Sequence, residues 1–123
     1  MRQLIIGGPR AGKTTMAEAL MITAPEGTRL RPIDSIVDKY QWSEVSERVA
    51  EWLDEPGDWI IEGCAGVRAL RKYLRAGKVP DFEIIWINEP VVPRTPKQIG
   101  YAAQCASIWK ECQAMMEKQN VSR

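Results

Sequence analysis

The chain has 123 residues, of which 45% are hydrophobic and 27% charged, a composition that excludes a disordered or fibrous protein and favours a soluble globular one. Its length fits one compact domain, because domains usually hold about 100 to 150 residues. With a net charge of +1 and no histidine, the chain has no global attraction for nucleic acid or anionic membranes and no histidine-based nucleophile or zinc site.

The first predicted element is a short buried strand that runs into a tight loop. Residues 4–6 form an apolar run that Gly7-Gly8-Pro9 interrupts. The run is too short for a signal peptide, and no other stretch approaches the roughly 18 apolar residues that span a bilayer. We therefore expect a cytoplasmic protein with no membrane partner. A helix is predicted from about Lys13 to Thr23.

The next segment predicts an irregular strand and a helix. Residues 28–33 have strand character, but Pro32 cannot donate to a ladder, which indicates a position near a sheet edge. Asp34 and Ser35 are suited to cap a helix start. Apolar residues then recur at helical spacing until Pro56-Gly57 ends the pattern; they are Val45, Val49, Trp52 and Leu53.

The second half of the chain continues the alternation of strand and helix. Residues 59–61 predict a strong buried strand, residues 67–77 a helix, and residues 82–87 a third clear strand. The proline-rich segment 89–97 excludes regular helix and central strand, and a long amphipathic helix is predicted from Lys97. We predict an α/β fold of three layers, with a short, mostly parallel four-stranded sheet and helices on both faces.

Cysteine and tryptophan are expected to serve the core. Cys105 and Cys112 lie seven residues apart, on one face of the last predicted helix, and with Cys64 they form no CxxC pair. We expect buried free thiols in a reducing cytosol. The five tryptophans fall in predicted helices or strands or at a helix start, which favours core packing over a role in stacking on ligands.

The loop after the first strand carries the most specific motif in the chain. Residues 7–14 match G-x-x-x-x-G-K-[ST] at every position, between a strand and a helix, as phosphate binding requires. Backbone N–H groups and the helix N-terminus would face the phosphates of ATP, Lys13 would reach the β- and γ-phosphates, and the Thr14 hydroxyl would ligate Mg²⁺. The predicted nucleotide-binding residues are Gly7, Gly8, Pro9, Arg10, Ala11, Gly12, Lys13, Thr14 and Thr15.

From this motif onward, most of the chain resembles the small P-loop kinases of the adenylate kinase and shikimate kinase type, especially compact versions often carried by bacteriophages. In these kinases a strand that ends in an acid and a glycine precedes an arginine that holds the acceptor's phosphate. Trp59-Ile60-Ile61-Glu62-Gly63, followed by Arg68, is similar to that pattern. The chain departs from the family in lacking the fifth strand and the base-binding loop, so the resemblance implies no base specificity.

The resemblance also implies roles for Asp34 and Arg94. Asp34 would orient or deprotonate the acceptor hydroxyl, although an aspartate at this place is equally suited to be a helix N-cap. Arg94 would act from a mobile lid over residues 89–97, which is otherwise a passive connector.

Glu62 and the basic residues after it have alternative interpretations. At the carboxyl end of a buried strand, Glu62 is expected to order a Mg²⁺-bound water, or else to be a buried carboxylate paired with an arginine. The stripe formed by Arg68, Arg71, Lys72, Arg75 and Lys78 suits an anionic substrate or a solvated helix face.

Together these features predict a phosphoryl transferase that uses ATP and Mg²⁺ on a small acceptor such as a nucleoside or nucleotide. The predicted catalytic residues are Lys13, Asp34, Glu62, Arg68 and Arg94, with Thr14 and, through water, Glu62 at the metal. The first alternative is an ATPase or ATP-binding module that controls a protein or nucleic-acid partner. The second is a degenerate P-loop protein with a structural role.

Overall fold

The computed structural model describes residues 1–121, which form strands and helices in the predicted alternation. The elements in chain order are β1 (Arg2–Ile6), α1 (Lys13–Thr23), β2 (Arg29–Pro32), α2 (Asp34–Val37), α3 (Trp42–Trp52), β3 (Trp59–Glu62), α4 (Gly66–Arg75), β4 (Glu83–Trp86) and α5 (Pro96–Val121). Among the described residues, no helix is long and apolar enough to cross a membrane.

The four strands form one wholly parallel sheet in the order β2-β3-β1-β4. In register, Leu4 of β1 lies opposite Ile61 of β3 on one side and Ile84 of β4 on the other. The strand that contains Pro32 lies at the sheet edge, as predicted. Because the strands are parallel, the loops that follow them all leave from the same edge of the sheet, where ligands bind in open α/β folds.

Helices cover both faces of the sheet, which confirms the predicted three layers. On one face α1 packs alone, and Ala17 joins Ile5 and Ile60 in a small buried cluster. On the other face α3, α4 and α5 enclose the larger core around Leu4 and Ile61. Alternate strand residues point to opposite faces of the sheet, so both faces receive apolar side chains. Each fully buried aliphatic side chain contributes about 1.5–3 kcal/mol to the free energy of unfolding.

The helix expected after β2 differs from the prediction. It is divided into the single turn α2 and the longer α3, which begins at Trp42 after the extended residue Gln41. The N-cap of α2 is Ile33. Asp34 is the first residue inside the helix, and its side chain makes no capping hydrogen bond. The alternative role of Asp34 as a helix cap is therefore wrong.

The thiols are placed as predicted, but one tryptophan is not. Cys105 and Cys112 are buried, Cys64 is half-buried, and all three are free. Trp59 is fully buried. Trp42, by contrast, is 55% exposed at the start of α3, so the expectation that every tryptophan serves the core is wrong for this residue.

Candidate functional site

The glycine-rich loop, residues 7–12, joins β1 to α1, and its first two glycines are required by close packing. A Cβ atom on Gly7 would lie 1.6 Å from the carbonyl oxygen of Ile87. A Cβ atom on Gly8 would lie 2.3 Å from Asn88 Oδ1 and 2.7 Å from the Cβ of Ala102. Both glycines thus allow the loop to pass directly against the segment that follows β4, and neither lines the cavity described next.

The loop encloses a cavity of about 450 Å³ at the carboxyl edge of the sheet, here called the loop cavity. Arg10 and Gly12 adopt positive φ angles of 59° and 85°, which curl the chain around the opening. The loop and the start of α1 contribute residues 9–15 to the wall. The remaining lining residues are Asp34, Glu62, Gly63, Cys64 and Gln98.

Lys13 lies deep in this cavity. Its side chain is only 7% exposed in total, and Nζ donates a hydrogen bond to the carbonyl oxygen of Gly8. A buried ammonium group needs oxygen partners, and here the loop itself supplies one. The charge of Lys13 is therefore held within the curl of the loop. An anion bound at this place would accept the hydrogen bond of Lys13 instead of the Gly8 carbonyl or together with it.

Glu62 contacts Thr14 in the wall of the loop cavity. The Thr14 Oγ1 atom lies 3.3 Å from each carboxylate oxygen of Glu62, which is only 3% exposed. Burial raises the pKa of Glu62, the negative charge of Asp34 raises it further, and the Thr14 hydrogen bond and the charge of Lys13 oppose the shift. Within the described residues no arginine pairs with Glu62, so the alternative of a buried carboxylate–arginine pair is wrong.

The oxygen donors in the cavity suit a hard divalent cation. Thr14, Glu62 and Asp34 all line it, and the pKa of Glu62 is raised by burial first and then by repulsion from the carboxylate of Asp34. A cation near them would relieve that repulsion. In residues 1–121 no group of three or more His, Cys, Asp or Glu residues is arranged to hold a metal by itself. Mg²⁺ bound here would therefore take its other ligands from phosphate and water.

Arg94 does not line the loop cavity. Its Nε atom donates to the carbonyl oxygen of Pro9 at 2.7 Å, and its Nη2 atom donates to that of Asn88 at 2.6 Å. The Asn88 side-chain oxygen accepts the N–H of Gly8 at 2.7 Å, and the N–H of Val91 donates to Arg10 at 2.9 Å. Segment 89–97 thus supports the outer side of the glycine-rich loop.

Asn88 and Cys64 are functional-site residues that were not predicted from the sequence. Asn88 comes two residues after the end of β4, and a polar residue just beyond the carboxyl end of a parallel strand is a signal that would have identified it. Cys64 follows the conspicuous Glu62-Gly63 pair and lines the cavity beside Lys13. Burial raises the pKa of this thiol, so it stays protonated at neutral pH.

Arg68 lies in a second cavity of about 610 Å³ between α3, α4 and the start of α5, here called the basic groove. Its Nη2 atom lies 3.4 Å from Gln104 Oε1. The basic groove adjoins a further cavity of about 450 Å³ that includes Pro9 and Gln98, and these residues also line the loop cavity. The walls of the basic groove include Trp42, Ser46, Arg68, Arg71, Lys97 and Tyr101.

Most of the basic stripe, of which only Lys78 lies beyond the end of α4, is engaged in ion pairs. Arg71 lies 2.7 Å from Glu111, Lys72 lies 3.7 Å from Glu47, and Lys78 pairs with Asp54. Arg68 has no such partner among residues 1–121. The stripe as a whole therefore serves the helix surface, and Arg68 is the member that is free to meet a ligand.

The structure thus brings Lys13, Thr14, Asp34 and Glu62 together around one cavity and places Arg68 outside it, in the basic groove. These assignments rest on the sequence motif and on this geometry. No known protein family, curated protein or solved structure matches the chain.

Proposed function

We propose that the chain is a P-loop domain that binds ATP with Mg²⁺ and transfers the γ-phosphoryl group to a small acceptor. One observation carries this proposal: the motif residues Lys13 and Thr14 and the carboxylate of Glu62 line one cavity at the carboxyl edge of a parallel sheet, and Thr14 contacts Glu62 there. A strand-to-helix turn with a purely structural role is not expected to bury an ammonium group and a carboxylate in one cavity, because burial of charged groups costs free energy. A cytoplasmic location, where ATP is abundant and thiols stay reduced, fits this proposal.

On the nucleotide side, the residues of the loop cavity bind and neutralise phosphate. Lys13 would exchange its hydrogen bond to the Gly8 carbonyl for phosphate oxygens, so a charge already positioned in the loop would meet the β- and γ-phosphates. Thr14 and Glu62 would hold Mg²⁺, directly and through water. When bound, Mg²⁺ would withdraw negative charge from the phosphate oxygens.

On the acceptor side, Asp34 is the proposed base. It is exposed and lines the loop cavity, so an acceptor hydroxyl has access to its carboxylate. Asp34 would accept the hydroxyl proton while the acceptor oxygen forms a bond to the γ-phosphorus and the bond to the β–γ bridging oxygen breaks, releasing ADP. Arg68, in the basic groove, would position the acceptor.

An ATPase or ATP-binding module is the second candidate, and the position of Arg94 favours it. The guanidinium of Arg94 is occupied by main-chain carbonyls of Pro9 and Asn88. In this position it does not line the loop cavity and would not contact the transferring group, a contact that is worth orders of magnitude in rate in related chemistry. Such a protein would bind ATP and hydrolyse it slowly, and its nucleotide state would act on a partner.

A coupled assay of ADP release distinguishes these functions. The protein is incubated with Mg²⁺ and ATP alone, and then with nucleosides, nucleoside monophosphates and small hydroxy acids. A kinase gives ADP release that depends on an acceptor, whereas an ATPase releases ADP without one.

Calorimetric titration with ATP completes this test, with Lys13→Ala as the loss-of-site variant and Lys39→Ala as the surface-lysine control. Failure of the folded wild-type protein to bind any nucleoside triphosphate would overturn both candidates.

A further inference from the structure

Trp42 presents an aromatic surface at the mouth of the basic groove. Its side chain is 55% exposed, and its ring centroid lies 6.0 Å from that of Tyr101, with the ring planes at 42°. Burial raises the pKa of Tyr101, so its phenol stays neutral and adds no negative charge to the wall. An exposed tryptophan at a concave surface, beside a second aromatic ring, is suited to stack on a planar ring.

The same groove carries positive charge that the protein does not neutralise. Arg68 and Lys97 both line it, and within residues 1–121 neither lies within ion-pairing distance of a carboxylate. No aspartate or glutamate among the described residues lines this cavity. Two unpaired cations beside an apolar ring are complementary to a ligand that has both a phosphate and an aromatic ring.

We propose that the basic groove binds one nucleotide unit, with its base stacked on Trp42 and its phosphate held by Arg68 and Lys97. A nucleotide is the common biological group in which a planar ring and a phosphate are joined at short distance. Arg71 and Lys72 are held by Glu111 and Glu47, so the groove provides charge for one or two phosphates rather than for a long strand. The nucleotide unit is either a free mononucleotide or the terminal residue of an oligonucleotide.

This site is separate from the loop cavity, and the inference deepens the proposed function, because it names the chemical class of the ligand in the groove to which the acceptor is assigned. A further cavity lies between them, sharing Trp42 and Lys97 with the basic groove and Pro9 and Gln98 with the loop cavity, so a nucleotide in the groove is a candidate for the acceptor. Binding to the groove does not require phosphoryl transfer, so it is measured without ATP or Mg²⁺. A failure here therefore leaves ATP binding untouched, and the reverse also holds.

The test is calorimetric titration of the full chain with AMP, GMP, CMP and UMP. We expect saturable binding of at least one monophosphate. Adenosine and ribose 5-phosphate, which lack the phosphate and the base respectively, should each bind at least about tenfold more weakly. Trp42→Ala should weaken binding by roughly 5- to 150-fold, the range that base stacking contributes, whereas Trp42→Phe should restore most of the affinity.

Charge variants and two controls locate the ligand. Arg68→Ala and Lys97→Ala should each weaken binding and reduce its salt dependence, because each removes one phosphate contact. Lys110→Ala, an exposed lysine on α5, and Lys13→Ala, in the loop cavity, should leave the affinity within about twofold. Two results would overturn the proposal: no monophosphate binds at millimolar concentration, or binding is lost with Lys13→Ala but not with Trp42→Ala.

Titration with a single-stranded 5′-phosphorylated oligonucleotide distinguishes the two ligands, a free mononucleotide and the terminal residue of a strand. If the strand binds about tenfold more tightly than the monophosphate and Trp42→Ala weakens both, the ligand is the terminal residue of a strand. Equal or weaker binding of the strand assigns the groove to free mononucleotides. Tight binding of the strand that does not respond to Trp42→Ala contradicts stacking in this groove and counts against the proposal.

Discussion

The hydroxyl oxygen of Thr14 lies 3.3 Å from both carboxylate oxygens of Glu62, a contact between residues 48 positions apart that joins the first turn of α1 to the end of β3. The hydroxyl is the only donor that Glu62 receives from a side chain in the described part of the chain. Both groups are ligands that Mg²⁺ accepts. This contact therefore marks the place where the proposed metal would bind.

Lys13→Ala is expected to abolish ATP binding or to weaken it strongly. The substitution removes the ammonium group that the glycine-rich loop holds against the Gly8 carbonyl, and with it the point charge aimed at the phosphates. Calorimetric titration measures the affinity, and circular dichroism verifies the fold. Lys39→Ala is the matched control on the surface. Unchanged affinity in a folded Lys13→Ala protein would remove the loop cavity as the nucleotide site.

Glu62→Gln is expected to stabilise the protein without nucleotide or Mg²⁺, most clearly at neutral pH. Burial and Asp34 raise the pKa of Glu62 above its ordinary value of 4.5, so the folded state binds the proton more tightly than the unfolded state. The carboxylate therefore reduces the free energy of unfolding as pH rises from 4.5 through the raised value.

Thermal melts of the wild type and Glu62→Gln between about pH 4 and pH 8 measure this effect. The Tm difference between them should grow with pH and vanish at the acid end. Addition of Mg²⁺ and ATP should reverse the order, because the wild type alone retains the carboxylate. A constant Tm difference across the pH range would contradict the raised pKa.

Asp34→Asn is expected to lower turnover by about 10² to 10⁴, the contribution of a general base, with little change in ATP affinity. Because Ile33 is the N-cap of α2, the substitution removes no cap, and it relieves the repulsion between Asp34 and Glu62, so Tm should not fall. Steady-state rates at saturating ATP and acceptor provide the measurement. A wild-type rate would exclude Asp34 from the mechanism. Loss of Mg²⁺-dependent ATP binding would instead assign it to the metal.

Arg68→Ala is expected to raise the KM of the acceptor far more than that of ATP. Its guanidinium lines the basic groove rather than the loop cavity, and it has no acidic partner within residues 1–121. Arg75→Ala is the matched control. Arg75 is an exposed arginine on the same helix as Arg68, and it lies 4.0 Å from Glu111 of α5. An equal rise in both KM values would place Arg68 on the ATP side or in folding.

Arg94→Lys separates a supporting role from a catalytic one. If Arg94 holds the loop through the carbonyls of Pro9 and Asn88, lysine cannot reproduce both hydrogen bonds, and ATP affinity should fall about as much as in Arg94→Ala. Asn88→Ala should have a similar effect, because it removes the acceptor of the Gly8 N–H. If Arg94 instead contributes charge to the transferring group, lysine should retain most of the turnover.

Much of the fold could be predicted from the sequence, because its signals are local. The apolar run before Gly7 and the strand at Trp59–Glu62 are short and bounded by glycine, which separates buried strands from helices without knowledge of their neighbours. The motif that ends in Lys13 and Thr14 is a chemical pattern at fixed spacing between such elements. The parallel sheet, its two covered faces and the loop cavity's position follow from that alternation.

The tertiary structure alone decided which polar groups meet. Asp34 lies near Glu62 because β2 pairs with β3 in parallel, with Pro32 opposite Glu62, and no local pattern sets that register. Arg94 donates hydrogen bonds to main-chain carbonyls because segments distant in sequence pack beside it. For the same reason Trp42 lies exposed in a groove beside Tyr101. A sequence records the period and chemistry of each segment, whereas the partner of a side chain depends on three-dimensional packing between segments.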